Sequence, residues 1–183
     1  MNHNESHLPH VLGVDIGRVI IGTADMGGHA DTTFLRGDDH AAMNTPSAAG
    51  AFETLRDLVS EFRGAVWLVS KCGPRIQART RAWLAHHRFF DRTGVRPGRV
   101  LFCRRRPDKR EHCLAIGATH FIDDRTDVLR HLRGVVPNLY LFGHQTRQPA
   151  PRWCVPVIRW ADVRHELLPA EEITQRPRRG ESR

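Results

Sequence analysis

One pattern constrains the fold of this chain more than any other. Short, unbroken apolar runs end on a polar or charged residue, and segments with helical periodicity lie between them. Val11-Leu12-Gly13-Val14 ends at Asp15, Ala65-Val66-Trp67-Leu68-Val69 ends at Ser70, and His120-Phe121-Ile122 ends at Asp123-Asp124. Val100-Leu101-Phe102-Cys103 and Leu139-Tyr140-Leu141-Phe142 are further runs of the same kind. Strands that are apolar on both faces belong to a parallel sheet covered by helices on both sides. The helices expected here span Ser47 to Phe62, with Ala51, Phe52, Leu55, Leu58, Val59 and Phe62 on one face, and a segment opened by Pro74 that carries Ile76, Thr80, Trp83 and Leu84. Asp108 to Ile116, a segment with Val128, Leu129 and Leu132, and Ala161 to Leu168 should form the others, the last after the apolar stretch Val155-Pro156-Val157-Ile158. The expected class is α/β, a Rossmann-like three-layer parallel sheet. In such sheets ligands collect at the carboxyl ends of the strands, where Asp15, Ser70 and Asp123-Asp124 would meet.

A chain of 183 residues fits one domain better than two. Residues 10–169 are expected to form it, with 1–9 and 170–183, polar or Pro/Arg-rich, as flexible ends. Val19-Ile20-Ile21 reads as a further β segment. Residues 22–46, rich in Gly, Asp, Thr and His and without clear periodicity, should form a flap or loop rather than a separate domain, leaving little room for a large cap. No apolar run approaches the ~20 residues that span a bilayer. The amino end, MNHNESHLPH, lacks an apolar secretory core, so a soluble, cytoplasmic protein is expected. Cys72, Cys103, Cys113 and Cys154 are scattered and read as reduced, buried thiols.

The net charge of +8 favours an anionic partner. Arg104-Arg105-Arg106 and Arg176-Pro177-Arg178-Arg179 are read as solvated runs, and no recognition-helix or aromatic-strand motif accompanies them, which disfavours nucleic acid. His86, His87, His112, His120, His131 and His144 are read as packing or surface residues. Trp67, Trp83, Trp153 and Trp160 are read as core or interface aromatics. Of 28 basic residues only Lys71 and Lys109 are lysine.

Singly, an Asp at a strand end is commonly a turn residue, and Asp-Asp before a helix is a natural cap. Their joint order is more specific. Across residues 11 to 143 the chain resembles the haloacid dehalogenase-like (HAD) superfamily, phosphatase type. Val-Leu-Gly-Val-Asp15-Ile-Gly17-Arg-Val-Ile resembles its motif I, Trp67-Leu68-Val69-Ser70 its motif II, and Phe121-Ile122-Asp123-Asp124-Arg125-Thr126-Asp127 its motif IV, while Lys109 stands in the place of the motif III lysine. The resemblance implies Asp15 as nucleophile, Ser70 and Lys109 on the transferred phosphoryl group, and Mg²⁺ held by Asp15, the Gly17 carbonyl, Asp123 and Asp124. A compact ammonium suits a crowded carboxylate site, and Lys71, beside motif II, remains the competing lysine.

Motif I departs from the family at Gly17, where phosphatases carry a second Asp as general acid and base. Such help is typically worth about 10²–10⁴-fold, so slow turnover of ordinary esters is expected. Asp25, His29 and His40 could supply a replacement acid. The expected function is a Mg²⁺-dependent phosphohydrolase acting on a phosphorylated small molecule, nucleotides among the candidates, through an aspartyl-phosphate on Asp15. The alternative is a catalytically weakened binding or regulatory protein of the same fold.

Overall fold

The computed structural model of the protein describes residues 10–22, 29–145 and 148–169. In chain order β1 (Leu12–Val14) is followed by α1 (His29–Arg36), α2 (Asp39–Met43), α3 (Ala51–Glu61), β2 (Val66–Lys71), α4 (Pro74–His86), α5 (Phe89–Thr93) and β3 (Val100–Cys103). Then come α6 (Lys109–Ile116), β4 (His120–Asp123), α7 (Thr126–Leu132), β5 (Asn138–Phe142), β6 (Val155–Val157) and α8 (Trp160–Leu167). The six strands form one sheet in the order β3-β2-β1-β4-β5-β6, and every neighbouring pair is parallel.

Each face of the sheet buries its own apolar layer. On one, Leu12, Val14, Leu68 and Ile122 pack with Phe52, Leu55 and Leu58 of α3, Trp83 of α4 and Trp160 of α8. On the other, Val69, Phe121, Leu139 and Leu141 pack with Cys113 of α6 and Leu129 and Leu132 of α7. Close packing sets one residue of β1: a Cβ on Gly13 would lie 2.4 Å from Cδ2 of Phe121 on the neighbouring strand, so only glycine fits. All four cysteines are free and buried.

The topology fixes where a site can be. The chain winds outward from β1 through β2 to β3, then continues on the other side of β1 with β4, β5 and β6. The strand order therefore reverses at β1, and a crevice opens outside the carboxyl ends of β1 and its neighbours. Val14 is level with both Leu68 and Ile122, so Asp15 and Asp123 leave their strands side by side. The Asp15 N–H donates to the Ile122 carbonyl at 2.9 Å, extending the ladder by one residue.

Three expectations of local structure change. Val19-Ile20-Ile21 is a buried turn with two isolated bridges, Ile21 to Gly17 and Ile21 to Ser47; the Trp160 indole N–H, 2.7 Å from the Val19 carbonyl, pins it. Residues 22–46 do not form a plain loop, because 29–36 and 39–43 are helical. The cause is tertiary: Arg79 of α4 donates to the Phe34 and Gly37 carbonyls, both at 2.9 Å, and Asp38 caps α2 through the Ala41 N–H at 2.7 Å. Finally, α5 is an added turn of helix between Arg88 and Gly94, both at positive φ. The ends, 1–9 and 170–183, lie outside the described residues. Among the described residues no helix is long and apolar enough to cross a membrane.

Candidate active site

Lys109 organises the floor of the crevice. As the first residue of α6 it sits over the ends of β1 and β4, and it is 1 % exposed. Its Nζ is 2.8 Å from Oδ1 of Asp15 and 2.7 Å from Oδ2 of Asp123. The other oxygen of Asp123 accepts the Arg125 N–H at 2.9 Å. Asp124, the next residue, pairs with the guanidinium of Arg18. One ligand oxygen from each of Asp15, Asp123 and Asp124 can be chosen so that all three lie within 4.8 Å of one another.

The charges on this floor are out of balance. Burial alone would push the Lys109 ammonium down, yet the carboxylates of Asp123 and Asp15 hold it above its ordinary value. Burial pushes both Asp123 and Asp124 up, and the neighbouring Asp15 charge adds to each, against the pull of Lys109. Three carboxylates, two buried and that of Asp124 mostly so, thus share one buried ammonium and one half-exposed guanidinium. This is a donor set that a hard, oxygen-seeking divalent cation fits: carboxylates from two strand ends, with water to complete six oxygens. Such an ion would supply the missing positive charge and would compete with Arg18 for Asp124.

Above the floor lies an open cleft of about 230 Å³. Asp15, Gly17, Ser70, Lys109, Asp123 and Asp124 all line it, so the residues expected from the four motifs meet there. Lys71 lines it too, but it is an exposed rim residue, and the lysine between the acids is Lys109. Phe34 and Leu35, from α1, and Ile76, from α4, give the cleft an apolar wall. Of the candidate replacement acids, Asp25 and the side chain of His29 lie outside the described residues. His40 is exposed, hydrogen-bonded to Asn44, and does not line the cleft.

Two side chains of the cleft escape the sequence reading. Arg18 has a φ of 60°, a left-handed conformation that sequence does not announce for arginine. Arg106 was expected in a solvated run; Arg104 and Arg105 are exposed, but Arg106 turns into the cleft. A triplet of identical residues hides that split. Arg125 pairs with Asp127, Nε to Oδ1 at 3.0 Å, and also lines the cleft.

No protein-family model matches the chain, and no curated protein matches it in sequence. Solved structures do resemble it. The D,D-heptose 1,7-bisphosphate phosphatase from B. bronchiseptica, complexed with magnesium and phosphate, superposes with a TM-score of 0.61 at 13% identity, covering 87% of this chain and 98% of that one. A HAD-superfamily hydrolase from Ehrlichia chaffeensis superposes with a TM-score of 0.57 at 13% identity, covering 87% and 96%. At this identity the likeness establishes the fold alone, which is HAD-like: a Rossmann-like parallel sheet covered by helices.

Proposed function

We propose that this protein is a Mg²⁺-dependent phosphohydrolase of the HAD type, acting on a phosphorylated small molecule with Asp15 as nucleophile. The observation that carries the reading is the meeting of Asp15, Lys109, Asp123, Asp124 and Ser70 in one cleft at the point where the strand order reverses. That two solved structures of the same fold are a phosphatase holding magnesium and phosphate and a HAD-superfamily hydrolase supports it.

The chemistry follows from the residues. A carboxylate approaching a phosphate dianion meets charge repulsion, and fixed positive charge must offset it. Mg²⁺ held by Asp15, the Gly17 carbonyl and the Asp123-Asp124 pair would neutralise the phosphoryl oxygens and the attacking acid together. Lys109 holds Asp15 and Asp123 in place and keeps their side chains oriented. The Ser70 hydroxyl donates to a phosphoryl oxygen. An Asp15 oxygen bonds to phosphorus as the bond to the leaving oxygen breaks; the alkoxide takes its proton from water, because Gly17 offers none. Water then attacks the aspartyl-phosphate and releases inorganic phosphate and free Asp15.

Turnover should therefore be fastest for leaving groups that need no proton, such as acyl phosphates. A panel of acyl phosphates, phosphosugars and nucleotides, with and without Mg²⁺, tests this. Activity is expected in at least one class, dependent on Mg²⁺ and abolished in Asp15→Asn. A second reading, a ligand-binding protein that does not turn over, is favoured by Gly17 and by the Arg18 pair on Asp124. Mg²⁺-dependent binding of phosphate esters without hydrolysis of any of them would select it.

A further inference from the structure

Arg106 and Arg125 face one another across Asp127 at the rim of the cleft. Arg125 reaches the carboxylate with Nε at 3.0 Å and Nη2 at 3.4 Å, while Nη1 of Arg106 is 3.5 Å from Oδ2. Nε of Arg106 is shielded from solvent and has no hydrogen-bond partner among the described residues. Both side chains line the cleft beside Ser70, Lys71 and Lys109. Chain connectivity holds them at the reacting end, since Arg106 precedes Lys109 by three residues and Arg125 follows Asp123 by two.

A guanidinium carries five N–H donors, so the pair offers about ten, and a single carboxylate with two oxygens cannot meet them. With Lys71 the rim holds three cations against the one anion of Asp127. The floor is the opposite: three acids against Lys109 and Arg18. One cleft thus has an acidic floor suited to a cation and a cationic rim suited to an anion. Pairing within a helix cap would account for the contacts to Asp127, but not for a shielded Nε left without a partner, a state that buried donors seldom keep.

We infer that Arg106 and Arg125, with Lys71, form a second anion subsite, so that the preferred ligand carries another anionic group, phosphate or carboxylate, besides the phosphoryl group at Asp15. This rests on the phosphatase reading only for which phosphoryl group is transferred. Guanidinium forks recognise both oxyanions in bidentate fashion, and rim and floor line one cleft of about 230 Å³, a volume that suits small, doubly charged molecules.

Calorimetric titration of the full chain in Mg²⁺ with propyl phosphate, propane-1,3-diol bisphosphate and 4-phosphooxybutanoate tests the subsite without relying on turnover. The wild type is expected to bind at least one doubly anionic ligand about tenfold or more tightly than propyl phosphate, and which one identifies the second group. Arg106→Ala and Arg125→Ala should each lower that ratio about fivefold or more, and Arg106→Lys, which keeps the charge and the fold, should lower it less. Equal affinities in the wild type, or variants that leave the ratio unchanged, would overturn the subsite. If the ratio behaves as expected while no ester is hydrolysed, the subsite stands and the phosphatase reading falls. If Asp15-dependent hydrolysis is found with a ratio near one, the reverse holds.

Discussion

Gly17 stands two residues after Asp15 with its φ outside the left-handed region, and a Cβ there would have nothing within 4 Å. Neither backbone nor space demands glycine, so Gly17→Asp should fold normally and place a carboxylate at the mouth of the cleft. Ester hydrolysis should rise toward the lower end of the 10²–10⁴ range, with little gain for acyl phosphates, while the thermal midpoint stays put. A folded, Mg²⁺-binding variant that hydrolyses nothing would favour the binding reading. Lys109 calls for the contrary expectation. Lys109→Met leaves Asp15 and Asp123 buried together without their shared cation, which should cost about 3–5 kcal/mol in chemical denaturation. Asp15 and Lys109 were legible in the sequence because their chemistry is unusual for their place: an acid closing an apolar strand, and a lysine in a chain that writes its cations as arginine. Arg18 and Arg106 were not legible for the same reason, since one arginine among many carries no mark of where its side chain turns.

The element least visible in the sequence is the helical insertion between β1 and α3. Its segment lacks a sustained apolar stripe, and α2 is only five residues long, so intrinsic propensity cannot hold it. Arg79 does so from outside, its side chain 8 % exposed, with Nη1 on two carbonyls and Nη2 2.7 Å from Asp39. Trp83 adds a bond from its indole N–H to the Thr45 carbonyl at 2.8 Å. Arg79→Ala should therefore lower stability by about 2 kcal/mol, the usual cost of leaving buried acceptors unmet. Because Phe34 and Leu35 line the cleft and the acids do not depend on α1, substrate affinity should fall while Mg²⁺ affinity is kept. Hydrogen exchange over residues 33–43 should quicken; unchanged protection there would show that the insertion is held by packing alone. The strands were easy to read by comparison, since an unbroken apolar run between two covered faces depends on no distant partner.

At the scale of the whole molecule the two ends of the sheet should answer acid in opposite ways. At the carboxyl end, burial and crowding raise Asp123 and Asp124, so the folded state takes up protons more readily than the unfolded chain, and mild acid favours it. At the amino end His120, first residue of β4, lies among the rings of His10, Phe62 and Tyr140, with Nδ1 2.9 Å from the Thr119 hydroxyl. Burial, and then the neighbouring His10 charge, lowers it to about 4 from 6.5. A histidine depressed in the folded state is protonated first in the unfolded chain, so its contribution is present above pH 6.5 and is lost as pH falls toward 4. His120→Phe removes that term, keeps an aromatic ring in the stack and leaves the distant acids alone. Its thermal midpoint should follow the wild type at a constant offset from pH 8 down to about 6.5, then gain on it progressively to about pH 4.5. The site contributes equally to both proteins and cancels in the difference. An offset that stays constant over the whole range would mean that His120 takes up its proton in the folded state as easily as in the unfolded one, and that acid lability arises elsewhere.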